Sequence, residues 1–123
     1  MPAFTIGQTS VPTYLNTDAI SANSTYTYDG NTKGQVNLIT LTNAITVTFG
    51  APTNIIEGAT YVFVLKAGDT NARTFAWASN YKFPSGSPVL TAGTASNGGF
   101  DIITFLGMPS NVLVYRGHNA DVR

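Results

Sequence analysis

The sequence predicts an all-β domain, a β-sandwich or jelly-roll-like fold preceded by an extended N-terminal arm. Three observations carry this expectation. Ile39, Leu41, Ile45, Val47 and Phe49 alternate with Thr40, Thr42, Thr46 and Thr48, the period-two pattern of strands with one face inward. Strand-sized, β-favouring segments recur along the chain, separated by Gly, Pro and Asn, as in sandwiches and jelly rolls. No window carries the 3.6-residue apolar spacing of an amphipathic helix, and neither heptads nor an internal repeat is visible.

Residues 1–24 scatter Phe4, Ile6, Val11 and Leu15 among Thr, Ser, Pro and Asn. No strand or helix period is sustained there, so they read as an arm, with one short strand around Pro12 to Asn16. The arm's apolar residues are too few for a core of their own, so it is expected to order by docking on a neighbour. Thr25 to Tyr28 favours β structure, and Asp29-Gly30-Asn31 is a turn signal. The Ile39–Phe49 alternation, broken at Asn43-Ala44, gives two short strands or one bulged strand with aliphatics inward and threonines outward.

After the loop Gly50-Ala-Pro52-Thr-Asn54, the run Ala59 to Lys66 includes Tyr61-Val-Phe-Val-Leu65. It is apolar on both faces, which predicts a central strand covered on both sides. A turn at Gly68-Asp69-Thr70-Asn71 leads to Arg73 to Ala78, and the two strands read as a hairpin. Pro84 to Pro88 is a loop, Val89-Leu90 follows, and Ala92 to Gly99 is a loop of small residues. Phe100 to Gly107 and Asn111 to Arg116 read as a closing hairpin around Met108-Pro109-Ser110. The resulting division is an arm over 1–24, one β-domain over 25–117 and a polar tail over 118–123. Phe63, Phe75, Trp77 and Phe105 are the expected core, with Trp77 mostly buried between two layers.

The chain of 123 residues has the length of one domain. Lys and Arg number 6, Asp and Glu number 6, and the net charge is zero. Lys33, Lys66, Lys82, Arg73, Arg116 and Arg123 are scattered. Binding to nucleic acid, which needs a cationic surplus against phosphates, is therefore not expected, nor is a polybasic membrane patch. No apolar run approaches the roughly 20 residues of a membrane helix, and Met1-Pro-Ala-Phe-Thr-Ile-Gly-Gln does not read as a signal peptide. There is no cysteine. Zero net charge removes the self-repulsion that keeps protein copies apart, which suits a subunit packed against neighbours.

Catalytic chemistry finds no constellation. The single histidine, His118, reads as a solvated tail residue, with Asp121 three positions on and no helix to unite them. Asp29 and Asp69 stand in ordinary turn contexts, Asp18 and Asp121 near the ends, and Asp101 at a strand start, so no carboxylate pair stands out. Asp69-Thr-Asn71 resembles part of a calcium loop but lacks the Gly and the bidentate Glu. Gly98-Gly99 precedes a strand rather than a helix, so it is no phosphate cradle. No catalytic, metal-ligating or cofactor-binding residue is assigned, and an enzyme is not expected. Trp77, Tyr81, Phe83, Tyr26 and Tyr28 could stack on sugar rings or bases, although packing within the sheets accounts for them more simply.

One resemblance adds to this. Glu57-Gly-Ala-Thr-Tyr-Val-Phe-Val-Leu-Lys66, then Arg73-Thr-Phe-Ala-Trp77, Asn80-Tyr-Lys-Phe-Pro84 and Phe100-Asp-Ile-Ile-Thr-Phe105 resemble a β-module of tailed-bacteriophage virion structural proteins. The likeness covers Gly58 to Gly117, about half of the chain, and brings no catalytic residues. It implies a virion protein: a head-fibre or tail-fibre module that recognises a host-surface glycan, or a capsid decoration (cement) protein. With only a short arm ahead of the module, the chain looks more like the second. That implies a homotrimer on the capsid exterior, made in the host cytoplasm, that binds and stabilises the assembled major capsid shell. A small carbohydrate-binding domain is the reading from a different class.

Overall fold

The computed structural model describes residues 15–84 and 98–122. Among them lie nine strands: β1 Leu15–Ile20, β2 Ser24–Tyr26, β3 Val36–Leu41, β4 Thr46–Phe49, β5 Thr60–Ala67, β6 Thr74–Trp77, β7 Tyr81–Lys82, β8 Phe100–Met108 and β9 Val112–Val122. They form two sheets, one of six strands in the order β1-β3-β5-β8-β9-β7 and one of three in the order β2-β4-β6. The two pack against each other around one core, so the domain is an all-β sandwich.

The connections are the unexpected part. From β1 to β6 the chain alternates between the sheets, so odd strands lie in the large sheet and even strands in the small one. Pairing along this stretch is parallel throughout: β1 with β3, β3 with β5, β2 with β4 and β4 with β6. Partners lie 21 (Leu15, Val36) to 28 (Thr46, Thr74) positions apart. Each circuit is a two-strand coil stacked on the one before, and no coil could bury its apolar side without its neighbours. A structural repeat is therefore present where the sequence shows none, because stacking requires matching inward alternation and not matching residues.

This geometry corrects the expected pairing of Ala59–Lys66 with Arg73–Ala78. The turn after Ala67 carries the chain across to the small sheet instead of back along β5. Strand β5 pairs with β3 and β8, and β6 with β4. The closing hairpin does form, as β8 and β9 around Pro109–Asn111, with Ser110 and Asn111 in the left-handed region at φ 66° and 57°. Strand β9 does not end at Arg116. After a register shift opposite Thr104–Phe105 it continues pairing to Val122, so residues 118–122 are strand and not tail. Likewise β1 places residues 15–20 in the large sheet, and β2 begins at Ser24, so the arm cannot extend to residue 24. Phe4, Ile6 and Val11 lie outside the described residues.

The core fills the space between the sheets. From the large sheet come Ile39, Leu41, Tyr61, Phe63, Leu65, Ile103, Phe105 and Leu113; from the small sheet come Tyr26, Val47 and Phe49. Phe63 sits at the centre with Tyr26, Tyr28, Phe49, Tyr81 and Phe105 around it, ring centroids 5.3–6.4 Å away. These tilted and edge-on contacts are the arrangements aromatic quadrupoles favour. Phe63 and Phe105 are fully buried, as expected, whereas Phe75 and Trp77 are half-buried and pack against the core from the small sheet. Trp77 lies on edge strand β6 and meets Phe49 of the small sheet and Tyr81 and Phe105 of the large one, yet stays half-exposed.

Candidate interaction surface

Strand alternation sorts each sheet into an inner and an outer face, and the two outer faces differ. On the small sheet the outward residues are Thr25, Thr46, Thr48, Thr74 and Ala76, all exposed except half-buried Thr48. Thr46 and Thr74 share a hydrogen bond between their hydroxyls at 2.7 Å. The expectation of aliphatics inward and threonines outward in β4 holds.

On the large sheet the register sets Val36, Val62 and Thr104 side by side, with Leu38, Val64 and Ile102 as the next row. Leu106 and Val114 extend the patch across the hairpin. These residues are half-exposed. Leu15 at 57 %, Met108 at 38 % and Val122 at 40 % relative exposure stand on the same face. The charged side chains on its strands are Lys66, at the end of β5 and 5.7 Å from the Phe100 ring, and Lys82 on edge strand β7, together with Arg116 at the β9 irregularity. No carboxylate of the described side chains faces outward here, because Asp18 and Asp101 sit at inward positions. Single exposed aliphatics are ordinary, but a contiguous patch marks a contact surface.

These are the surface residues that reading the sequence missed. The signal was present, in Tyr61–Leu65 being apolar on both faces. Such a run predicts coverage on both sides, whereas Tyr61, Phe63 and Leu65 are buried while Val62 and Val64 remain half-exposed.

The polar side chains serve seams between elements. Asp18 in β1 accepts hydrogen bonds from Tyr26 (2.7 Å), Asn16 (2.8 Å) and Lys33 (3.2 Å), closing the sandwich at its β1–β2 side. Burial works to raise its pKa, but these three donors outweigh it and hold the carboxyl below its ordinary value. Burial, followed by the bond to Asp18, pushes the Tyr26 hydroxyl up. Asp18 is thus fixed in a sheet and not near a loose end. Asp69 accepts from the backbone amides of Asn43 (2.7 Å) and Asn71 (3.0 Å) and pairs with buried Arg73, which also donates to the Leu41 carbonyl at 2.9 Å. The Asn43 amide leads in lowering the Asp69 pKa to about 2. Asp29 accepts from Asn31 and Asn54. Both aspartates are turn residues, as their contexts predict.

The aromatic residues do not form a platform. Phe49 stacks on Trp77 at 4.0 Å and 9°, and Tyr81 and Phe83 meet it edge-on at 5.1 Å, so one indole face is covered. His118 is half-buried in β9, its Nδ1 2.8 Å from the Tyr115 hydroxyl, because pairing with Ile103 turns it inward. No group of three or more His, Cys, Asp or Glu residues able to hold a metal occurs among the described residues, and no helix there is long and apolar enough to cross a membrane. No protein-family model, curated protein or solved structure matches the chain.

Proposed function

We propose that this chain is a structural protein of a tailed-phage virion, a capsid decoration (cement) protein that binds the assembled shell from outside as a homotrimer. The observation that carries this reading is the broad aliphatic face, with few charged side chains, on a two-sheet body, set against a threonine face on the opposite side. The resemblance of Gly58–Gly117 to virion β-modules supports it from the sequence. Such a protein needs no cofactor, nucleic acid or membrane. It needs only a fixed surface that matches sites created when shell subunits meet. Linked copies engaging several sites gain affinity through effective concentration. A ligand of the assembled lattice alone shifts the equilibrium toward assembly by mass action.

Copy number and position on purified particles test the reading. Decoration requires hundreds of copies spread over the shell, and shells lacking the protein should disrupt at lower temperature. Tens of copies or fewer at a vertex or tail, with binding on a glycan array, would replace it with the fibre module.

A further inference from the structure

We infer that the outer face of the six-stranded sheet is the surface through which copies of this chain associate, with a second copy of the same face as its occupant. The inference deepens the assembly part of the reading above and rests on its self-association, not on its shell. Strands about 4.8 Å apart and about 3.3 Å per residue give the part of the face spanned by β1, β3, β5, β8 and β9 sides of roughly 20 Å each. That is about 400 Å² in projection and more as accessible surface, the same order as the roughly 800 Å² each partner of a stable interface covers.

Three features select a second copy as the occupant. The middle of the face, at Leu38, Val62, Val64 and Ile102, carries no charge, so two such faces meet without burying an unpaired ion. Lys66 and Lys82 stand at a strand end and an edge strand, and Arg116 is exposed at the β9 irregularity, two strands from β5, so the charges ring the aliphatic middle. The chain's zero net charge leaves no long-range repulsion between copies. Closure around a threefold axis sets one part of this face against a different part of the same face on the neighbouring copy. Three copies turned with this face toward a common axis place β5, near the middle of the sheet order, closest to that axis.

The absence of cysteine makes a clean experiment possible on the full chain. Sedimentation velocity should show an oligomer for the wild type, and Val64→Lys should shift it to monomer with an unchanged far-UV spectrum. Should Val64→Lys fail to fold, Val64→Thr, which keeps shape and β preference, decides by weakening association at least tenfold. Val64→Cys should form disulfide-linked dimers on mild oxidation, whereas Ala76→Cys, exposed on the small sheet's outer face, should not. A wild type that is monomeric at every concentration overturns the inference, as does an oligomer indifferent to Val64 or cross-linked equally through Ala76. A monomer that still binds purified shells would overturn this inference and leave decoration standing. A Val64-dependent oligomer that binds no shell would do the reverse.

Discussion

The outer faces of the two sheets use the same backbone to opposite ends. On the small sheet, threonines satisfy the pleat's preference for β-branched side chains while presenting hydroxyls to water. On the large sheet, valines, leucines and isoleucines satisfy the same preference and present methyl groups. Secondary structure alone would accept either set on either face. The difference lies in what each face presents, hydroxyls on one side and half-exposed aliphatic side chains on the other. Substitutions that disturb the shared interior, one face or the corners between the sheets should separate these roles.

The largest effect should come from the interior that both faces depend on. Phe63→Ala empties the centre of the aromatic cluster from a fully buried site and should cost about 3–5 kcal/mol. Chemical denaturation would measure it. A loss below about 1 kcal/mol would mean the sheets do not share one core, and the comparison of their outer faces would lose its footing. Trp77→Ala on the small sheet should cost about 3 kcal/mol, toward the lower end for a large aromatic, because the indole is half-buried although Phe49, Tyr81 and Phe83 pack on it. As the single tryptophan, it also reports directly. Its emission should lie between buried and exposed wavelengths, with partial acrylamide quenching. Fully exposed emission would mean the Phe49 stack does not form.

The hairpin end of the large sheet provides the next test. A Cβ at Gly107 would lie 2.3 Å from the Ile56 carbonyl oxygen, against backbone that also bonds Gly58 N to Gly107 O at 2.8 Å. Gly107→Ala should cost about 1–3 kcal/mol as an overpacking change, read as a lowered melting temperature. The outer face should behave differently. Val64→Thr, which makes the large sheet resemble the small one, should change fold stability by less than about 1 kcal/mol while weakening association. Equal losses in both would erase the distinction between the faces.

How much of this was legible follows from the range of the contacts involved. The β8–β9 hairpin was readable because its turn, Pro109–Asn111, and its pairing partners are neighbours in sequence. The inward aliphatics of β3 and β4 were readable because alternation is local. The parallel coils were not. Nothing near Leu15 indicates that it pairs with Val36, or near Thr46 that it pairs with Thr74, and the turn signal at Gly68–Asn71 is the same for a hairpin as for a crossing. Residues 17–20 of β1 and the end of β9 are not legible in the sequence for a related reason. Polar residues such as Asn16, Asp18, His118 and Asn119 look like arm or tail until their partners in Tyr26, Lys33 and Tyr115 are known. The outer face was half-legible: Val62 and Val64 stand in a run that is apolar on both faces, but which layer faced water, and which strands lay beside it, depended on those same non-local pairings.

The smallest effect concerns the corners, where the chain passes between sheets, and it separates charge from apolar contact. Asp69 ties the β5–β6 corner to the β3–β4 corner through the Asn43 amide and holds Arg73 against the Leu41 carbonyl. Its carboxyl sits at about 2, below its ordinary 3.8, through the Asn43 and Asn71 amides and then Arg73. A carboxylate whose pKa is lowered on folding contributes stability that is fully present above its unfolded value and is lost as pH falls through the folded one. The melting temperature of wild type minus that of Asp69→Asn should therefore be positive and constant above about pH 5, shrink as pH falls, and vanish below about pH 2. The difference is the quantity to follow, because Asp18 and Asp29 are lowered as well and act in both proteins. Association through the large sheet's outer face should not follow this curve. Its central residues, Leu38, Val62, Val64 and Ile102, carry no titratable group. Between about pH 4 and 8 the oligomer should hold constant in sedimentation. An assembly that dissociates in step with Asp69 would mean the corners, and not the aliphatic face, join the copies.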